Sequence, residues 1–239
     1  MKKLGLVMLV LAACGDGASV TPDAEIDAQT MCPPKTAPLA PGVNKIYLNF
    51  DGQTLSKGMD NAPLDISSVL MNDPTVVPVW GSALSPTTRQ GRIDVIVQTV
   101  QTQLAPYSVD VVTTRPVTAP YMMSVLGGKS QDFGFAPNIA SLTGQQCHLN
   151  AIGVSLVFDV DGFTATDTAN SVLSDISMLA GLGLSTRHND CTNRTESYDP
   201  GIVCSFDAMA TTPNTANNCG YTPTQNEPML LMTAFGCRD

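Results

Sequence analysis

Cysteine spacing constrains the fold of this 239-residue chain more than any other feature. Beyond the first fourteen residues the cysteines are Cys32, Cys147, Cys191, Cys204, Cys219 and Cys237. Structural zinc sites use close Cys-x2-4-Cys pairs, whereas the nearest spacings here are thirteen, fifteen and eighteen residues. An even number of widely spaced cysteines predicts three disulfides instead. Six cysteines allow fifteen pairings, and the sequence does not choose among them.

The N-terminus has the layout of a bacterial export signal. Two lysines precede an apolar run over residues 4–13, which is too short to span a bilayer. The run ends in Leu-Ala-Ala-Cys, which resembles the lipobox whose cysteine becomes a lipidated mature N-terminus. We therefore expect residues 1–13 to be a signal peptide and Cys14 to anchor the protein to a membrane of the bacterial envelope, at the outer membrane or cell surface. The alternative is an ordinary signal peptide in which Cys14 is incidental.

Composition agrees with export and excludes nucleic acid as a partner. Hydrophobic residues make up 43% of the chain, enough for a sizeable core, while only 14% of residues are charged. Acidic residues outnumber basic ones 21 to 12, and no basic cluster could bind a phosphate backbone. Residues 14–41 are rich in Ala, Asp, Pro and Thr without an apolar period, which predicts a lipidated flexible tether before one domain over residues 42–239.

Hydrophobic periodicity predicts an α/β domain with two long helices. Strands are expected at residues 46–50, 109–114, 121–126 and 152–158, and helices at about 86–105, 167–183 and 225–235. The segment between the first strand and the first helix contains several prolines and predicts a long loop. The segment from Cys191 to Pro223 predicts an irregular, disulfide-tied C-terminal part.

Several short motifs occur in an order that resembles a known protease family. Asn-Phe-Asp-Gly ends the first strand, Leu-Ala-Pro-Tyr ends the first long helix, and Gly181-Leu182 follows the second. Over about 190 residues this order resembles the metzincin zinc proteases of the matrixin type. Asp-Ala-Met-Ala around Met209 resembles the Met-turn beneath the zinc of that family, and residues 225–236 resemble its C-terminal helix. The resemblance implies a metzincin-like zincin fold, in which the strands form a twisted mixed sheet of four or five.

The zinc-binding residues of that family are replaced here. Its signature, H-E-x-x-H-x-x-G-x-x-H, supplies three histidines to zinc and a glutamate that activates the bound water. With Gly181 aligned on the signature glycine, the histidine positions hold Ser174, Met178 and Leu184, and Asp175 takes the place of the glutamate. Serine and leucine do not serve as zinc ligands in such sites, and methionine suits Cu(I) better. We therefore expect a catalytically degenerate domain without a metal or other cofactor.

The expected function is binding or regulation rather than catalysis, with a protein or peptide held in the former active-site cleft. One alternative is an active metal-dependent peptidase with a remodelled site, although His148 and His188 do not supply two histidines one helical turn apart. The other is a purely structural envelope lipoprotein. The chain contains no G-x-S-x-G nucleophile elbow and no phosphate-binding glycine loop. The acidic run at residues 159–162 lacks the Gly and Glu spacing of a calcium loop.

Overall fold

The computed structural model describes residues 45–144, 146–193, 199–208, 210–211 and 224–238. The expected signal peptide and tether, together with Cys14, Cys32, Met209 and Cys219, lie outside these residues. The strands are β1 (Lys45–Asn49), β2 (Gln53–Lys57), β3 (Ile66–Ser67), β4 (Thr75–Val77), β5 (Asp110–Val112), β6 (Met122–Leu126), β7 (Ser141–Thr143), β8 (Val154–Val157), β9 (Ala210–Thr211) and β10 (Thr224–Gln225). The α-helices are α1 (Pro86–Leu104), α2 (Ala165–Leu179) and α3 (Glu227–Phe235). None of the helices in this described part is long and apolar enough to cross a membrane.

The main sheet has five strands in the order β5-β1-β6-β8-β7. The first four run parallel, and β7 pairs antiparallel with β8 at the edge. Every residue of β6 and β8 is buried, as expected for strands that are covered on both faces. The predicted α/β class and the mixed five-stranded sheet are therefore confirmed, and β7 is a strand that periodicity did not predict.

Helices α1 and α2 cover one face of the main sheet. Ile96 and Val100 from α1 and Val172 from α2 pack in one apolar cluster with Ile46 and Leu48 of strand β1. Helix α1 begins where the sequence predicts, because Pro86 fits its first turn and the Ser85 hydroxyl accepts a hydrogen bond from the Thr88 backbone N–H at 3.3 Å.

A small sheet covers the other face, where the sequence predicted only a long loop. Its strands have the order β3-β2-β4, and Leu55 and Val77 pack in a second apolar cluster with Tyr47, Met123 and Leu156 of the main sheet. These strands are two to five residues long, too short for a clear period. Their pairing depends on residues distant in the chain, so local pattern could not reveal them.

Helix α2 begins two residues before the predicted start and ends four residues before the predicted end. A capping box fixes its start, with Thr164 and Asp167 exchanging hydrogen bonds between side chain and backbone. Apolar residues continue at helical spacing as far as Gly183 in the sequence. The helix nevertheless stops at Leu179, because Gly181 adopts a left-handed φ of 93° that turns the chain.

Candidate functional site

The residues that the sequence aligns with the metzincin zinc ligands lie on the second half of α2 and on the turn that follows. Ser174 and Asp175 are buried, with exposures of 3% and 2%, while Met178 and Leu184 are half-buried. Asp175 accepts a hydrogen bond at Oδ1 from the Ser141 hydroxyl of edge strand β7, at 2.9 Å. The carboxyl group at the general-base position is thus held by the neighbouring strand inside the protein.

The backbone near His148 lies directly against the turn after α2. A Cβ atom on Gly181 would come within 3.1 Å of the His148 Cα, so the close approach depends on glycine. The Asn150 backbone N–H donates a 2.7 Å hydrogen bond to the carbonyl of Leu179. The segment from His148 to Asn150 therefore satisfies a carbonyl at the helix end and covers the turn.

Gln225 fixes the turn from the opposite side. Its side-chain oxygen accepts from the Gly183 backbone N–H at 2.9 Å, and its side-chain nitrogen donates to the Gly183 carbonyl at 2.7 Å. Both backbone polar groups of Gly183 are satisfied by this one amide. Gln225 therefore fixes the backbone immediately before Leu184, the residue aligned with the third histidine of the metzincin signature.

A buried pair of carboxyl groups, Asp190 and Glu227, lies beside this clamp. Asp190 accepts hydrogen bonds at Oδ1 from the Thr192 backbone N–H at 2.7 Å and from its hydroxyl at 2.9 Å. Burial and the nearby Asp190 charge raise the pKa of Glu227 to about 9. The Thr192 hydroxyl also lies 2.5 Å from Glu227 Oε1, and its single hydrogen cannot serve both carboxyl groups. A protonated Glu227 resolves this geometry, and burial raises the pKa of Asp190 as well.

Disulfides crosslink the C-terminal loops, one of which binds to α2. Cys191 and Cys204 are bonded to each other and buried, and Asn170 of α2 binds the same loop through the carbonyl of Ile202 and the backbone N–H of Cys204. Cys147 and Cys237 each take part in a further disulfide. The expected disulfide framework is confirmed for these four cysteines, while the full count of three remains a prediction.

The donor groups at the aligned positions do not fit zinc. They are a hydroxyl, a thioether and an alkyl group, none of which replaces an imidazole in such a site. His188 is exposed, with Nε2 3.1 Å from Asp199 Oδ1, and His148 is exposed on the segment that covers the turn. Across the described ranges, no three His, Cys, Asp or Glu side chains form a group that could hold a metal ion.

The chain has one weak structural similarity to a known protein and no match to a protein family. No protein-family model matches the chain, and no curated protein matches it. Among solved structures, the chain is similar to high choriolytic enzyme 1, a hatching enzyme zinc-protease from the medaka fish Oryzias latipes. The TM-score is 0.31 with 10% sequence identity, and the alignment covers 67% of this chain and 88% of that chain. A likeness of this size does not assign the chain to a family.

Sequence reasoning located the helix and turn but missed the residues that fix them. Asn226 before Pro228 is a helix-start signal, and Asn226 does cap α3 by accepting from the Met229 backbone N–H at 2.9 Å. Nothing in the sequence marks Gln225 as the partner of Gly183 or Glu227 as the partner of Asp190. Both contacts join segments that are far apart along the chain.

Proposed function

We propose that the domain is a metzincin-like fold that has lost catalysis and acts by binding. The observation that carries this proposal is the burial of Asp175 and its hydrogen bond to Ser141, which commits the would-be general base to a structural role. The replacement of the three zinc ligands by Ser174, Met178 and Leu184 supports the same conclusion.

The proposed contact surface is the half-buried pair Met178 and Leu184. Methionine adapts to irregular apolar partners, which suits a protein or peptide ligand at the end of α2. The burial of Ser174 and Asp175, however, fills the deeper part of the former cleft, and this favours a second candidate: a structural lipoprotein without a ligand at this face. A photo-crosslinking residue at position 178 separates the two. Binding predicts one crosslinked product of defined mass that Leu184→Glu abolishes, and a structural role predicts none.

Metal content tests the loss of catalysis. The purified protein should hold less than about one tenth of an equivalent of zinc and cleave no peptide faster than buffer, because the ligand positions lack imidazoles. The combined variant Ser174→His, Asp175→Glu, Met178→His and Leu184→His should gain zinc if the backbone geometry is that of a metzincin. The matched control places the first histidine one turn earlier, through Ser171→His in place of Ser174→His, and should gain none.

Two outcomes would contradict this account. Stoichiometric zinc in the unaltered protein would favour the remodelled peptidase, and His148 and His188 would be the first ligands to replace. If the combined variant folds and takes up no zinc, the metzincin-like geometry is wrong while the absence of catalysis stands.

We also propose that the protein is anchored in the bacterial envelope through Cys14, on the strength of the lipobox-like Leu-Ala-Ala-Cys. Cys14→Ala should move the protein from the membrane fraction to the soluble fraction, because acyl chains contribute roughly 0.8 kcal/mol of membrane binding per buried methylene. Cys32→Ala is the matched control and should leave the membrane fraction unchanged. An unchanged distribution of the Cys14 variant would refute lipid anchoring.

A further inference from the structure

A cavity of about 460 Å³ opens at the carboxyl ends of β6 and β8. Its walls are the loops over residues 78–84, 128–132 and 159–163, with Arg92 of α1 and Thr168 of α2. Ligands of open α/β sheets bind outside the carboxyl ends of the strands, and the volume suits a small organic molecule. Thr168 precedes Ser174 by about 9 Å along the helix axis, so the cavity is distinct from the former zinc positions.

A pair of glycines lets two walls of the cavity approach each other. A Cβ atom on Gly127 would lie 2.0 Å from the Pro78 carbonyl oxygen, and one on Gly128 would lie 2.7 Å from the Phe133 ring. Both glycines have positive φ, at 145° and 69°. The loop that begins at Pro78 can therefore approach the carboxyl end of β6 only because Gly127 and Gly128 carry no side chain.

Trp80 and the Arg92 guanidinium beside its ring form the inner wall of the cavity. Trp80 is 1% exposed, and the Arg92 guanidinium carbon lies 5.4 Å from the centre of its ring. Arg92 also donates a 2.6 Å hydrogen bond to the Phe163 carbonyl, so its guanidinium is already engaged in the wall. The indole N–H of Trp80 has no acceptor within the described part of the chain.

Asp159 is a cavity carboxylate without a cation at contact distance among the described residues. Its Oδ2 accepts one long hydrogen bond, 3.3 Å from the Gly81 backbone N–H, and it forms no ion pair with any described residue. The other cation of the wall, Lys129, is bound at the rim by Asp161 at 2.8 Å. Burial raises the pKa of Asp159, and the Gly81 N–H and the more distant charges of Arg92 and Lys129 offset this only in part.

We propose that this cavity binds a small organic ammonium compound, with its charged nitrogen on Asp159 and its apolar body against Trp80, Leu84 and Phe163. Three carboxylates and two engaged cations line the cavity, so an anion would meet net repulsion. A neutral ligand would leave the partly desolvated Asp159 without a partner, whereas a primary ammonium group donates directly to it.

Trp80 provides a direct readout because it is the only tryptophan of the chain. The test titrates the full-length protein with phenethylamine and follows Trp80 fluorescence, alongside 2-phenylethanol and 3-phenylpropionate as neutral and anionic analogues of similar shape. We expect a saturable change with phenethylamine, with binding at least about tenfold weaker for the alcohol and none for the carboxylate. An equal response to the amine and the alcohol, or no saturable response to the amine, overturns the proposal.

Two variants locate the charged contact. Asp159→Asn should weaken phenethylamine binding by at least about tenfold, because it removes the charge from the pair. Asp94→Asn, which removes an exposed carboxylate of α1 outside the cavity, should keep the affinity within about twofold. Equal loss in both variants overturns the assignment to Asp159. The comparison of the three probes on the unaltered protein decides the proposal even if Asp159→Asn does not fold.

Discussion

Glu227 illustrates how a single side chain can be forced out of its usual charge state. It stands in the first turn of α3, where the helix dipole favours a negative charge by about 0.3–1 kcal/mol. It is also fully buried beside Asp190, and the cost of burying a second like charge is several kcal/mol. The larger effect prevails, so the carboxyl group stays protonated.

This protonation makes stability depend on pH in a defined direction. The pKa of Glu227 is raised from 4.5 in the unfolded chain to about 9 in the fold, so the folded state retains a proton that the unfolded chain releases. Its stabilising contribution is complete below pH 4.5 and is lost as pH rises towards 9. The free energy of unfolding should therefore fall by several kcal/mol between pH 5 and 9 in denaturant titrations.

Glu227→Gln tests this assignment at the residue itself. Glutamine remains neutral and keeps the hydrogen bonds to Thr192 and to the Asp207 backbone, so the variant should lose most of the decline in stability above pH 5. Asp94→Asn on the exposed face of α1 is the control and should keep the decline. A Gln variant with the same pH dependence as the unaltered protein would show that Glu227 is charged in the fold.

At the scale of elements, α2 is unusual because both its apolar and its polar sides are buried. The sequence predicts one apolar face, which does pack on the sheet and on α1. The polar side is covered as well: Asn170 binds the loop that ends at Cys204, Asp167 accepts from the Gly201 backbone N–H at 3.2 Å, and Asp175 is held by Ser141. Such a helix forms part of the interior, and Asp167, Asn170 and Asp175 each have a hydrogen-bond partner within the protein.

The turn that joins β6 to the 3-10 helix Ser130–Phe133 depends on Gly127 for a steric reason. Gly127→Ala should destabilise the protein by at least about 2 kcal/mol, because the added Cβ would overlap the Pro78 carbonyl oxygen and φ is positive. Gly91→Ala is the matched control, since a Cβ there meets no atom within 4 Å. It lies inside α1 and should stabilise the protein by about 0.5–1 kcal/mol. Denaturant unfolding of the pair checks both signs, and equal effects would contradict the proposed overlap.

At the scale of the whole molecule, a helical layer, a five-stranded sheet and a small sheet form the body, and the Cys191–Cys204 disulfide closes a C-terminal loop that Asn170 of α2 binds. We expect all six cysteines beyond Cys14 to be oxidised, each disulfide contributing about 2–4 kcal/mol by restricting the unfolded chain. Mass spectrometry of the mature protein should show a gain of six hydrogens on reduction. A gain of four or fewer would mean that at least one pair is free.

The sequence by itself determined the features that depend on local pattern or on side-chain chemistry. Helix α1 has the predicted start because Ser85 and Pro86 are local signals, and strands β1, β6 and β8 follow from short-range apolar alternation. The poor fit of the aligned positions to zinc also follows from the sequence. Whether a side chain can bind zinc is a property of its atoms, so the expectation for Ser174, Met178 and Leu184 required no coordinates.

Only the tertiary structure decided the features that join distant segments. The small sheet and β7 form because strands of two to five residues find partners elsewhere in the chain, which no short window can encode. The clamp of Gln225 on Gly183, the burial of Glu227 beside Asp190, and the cavity around Asp159 arise in the same way. Each depends on burial and on the approach of groups that are far apart in the sequence, and a residue's electrostatic environment exists only once those groups are packed together.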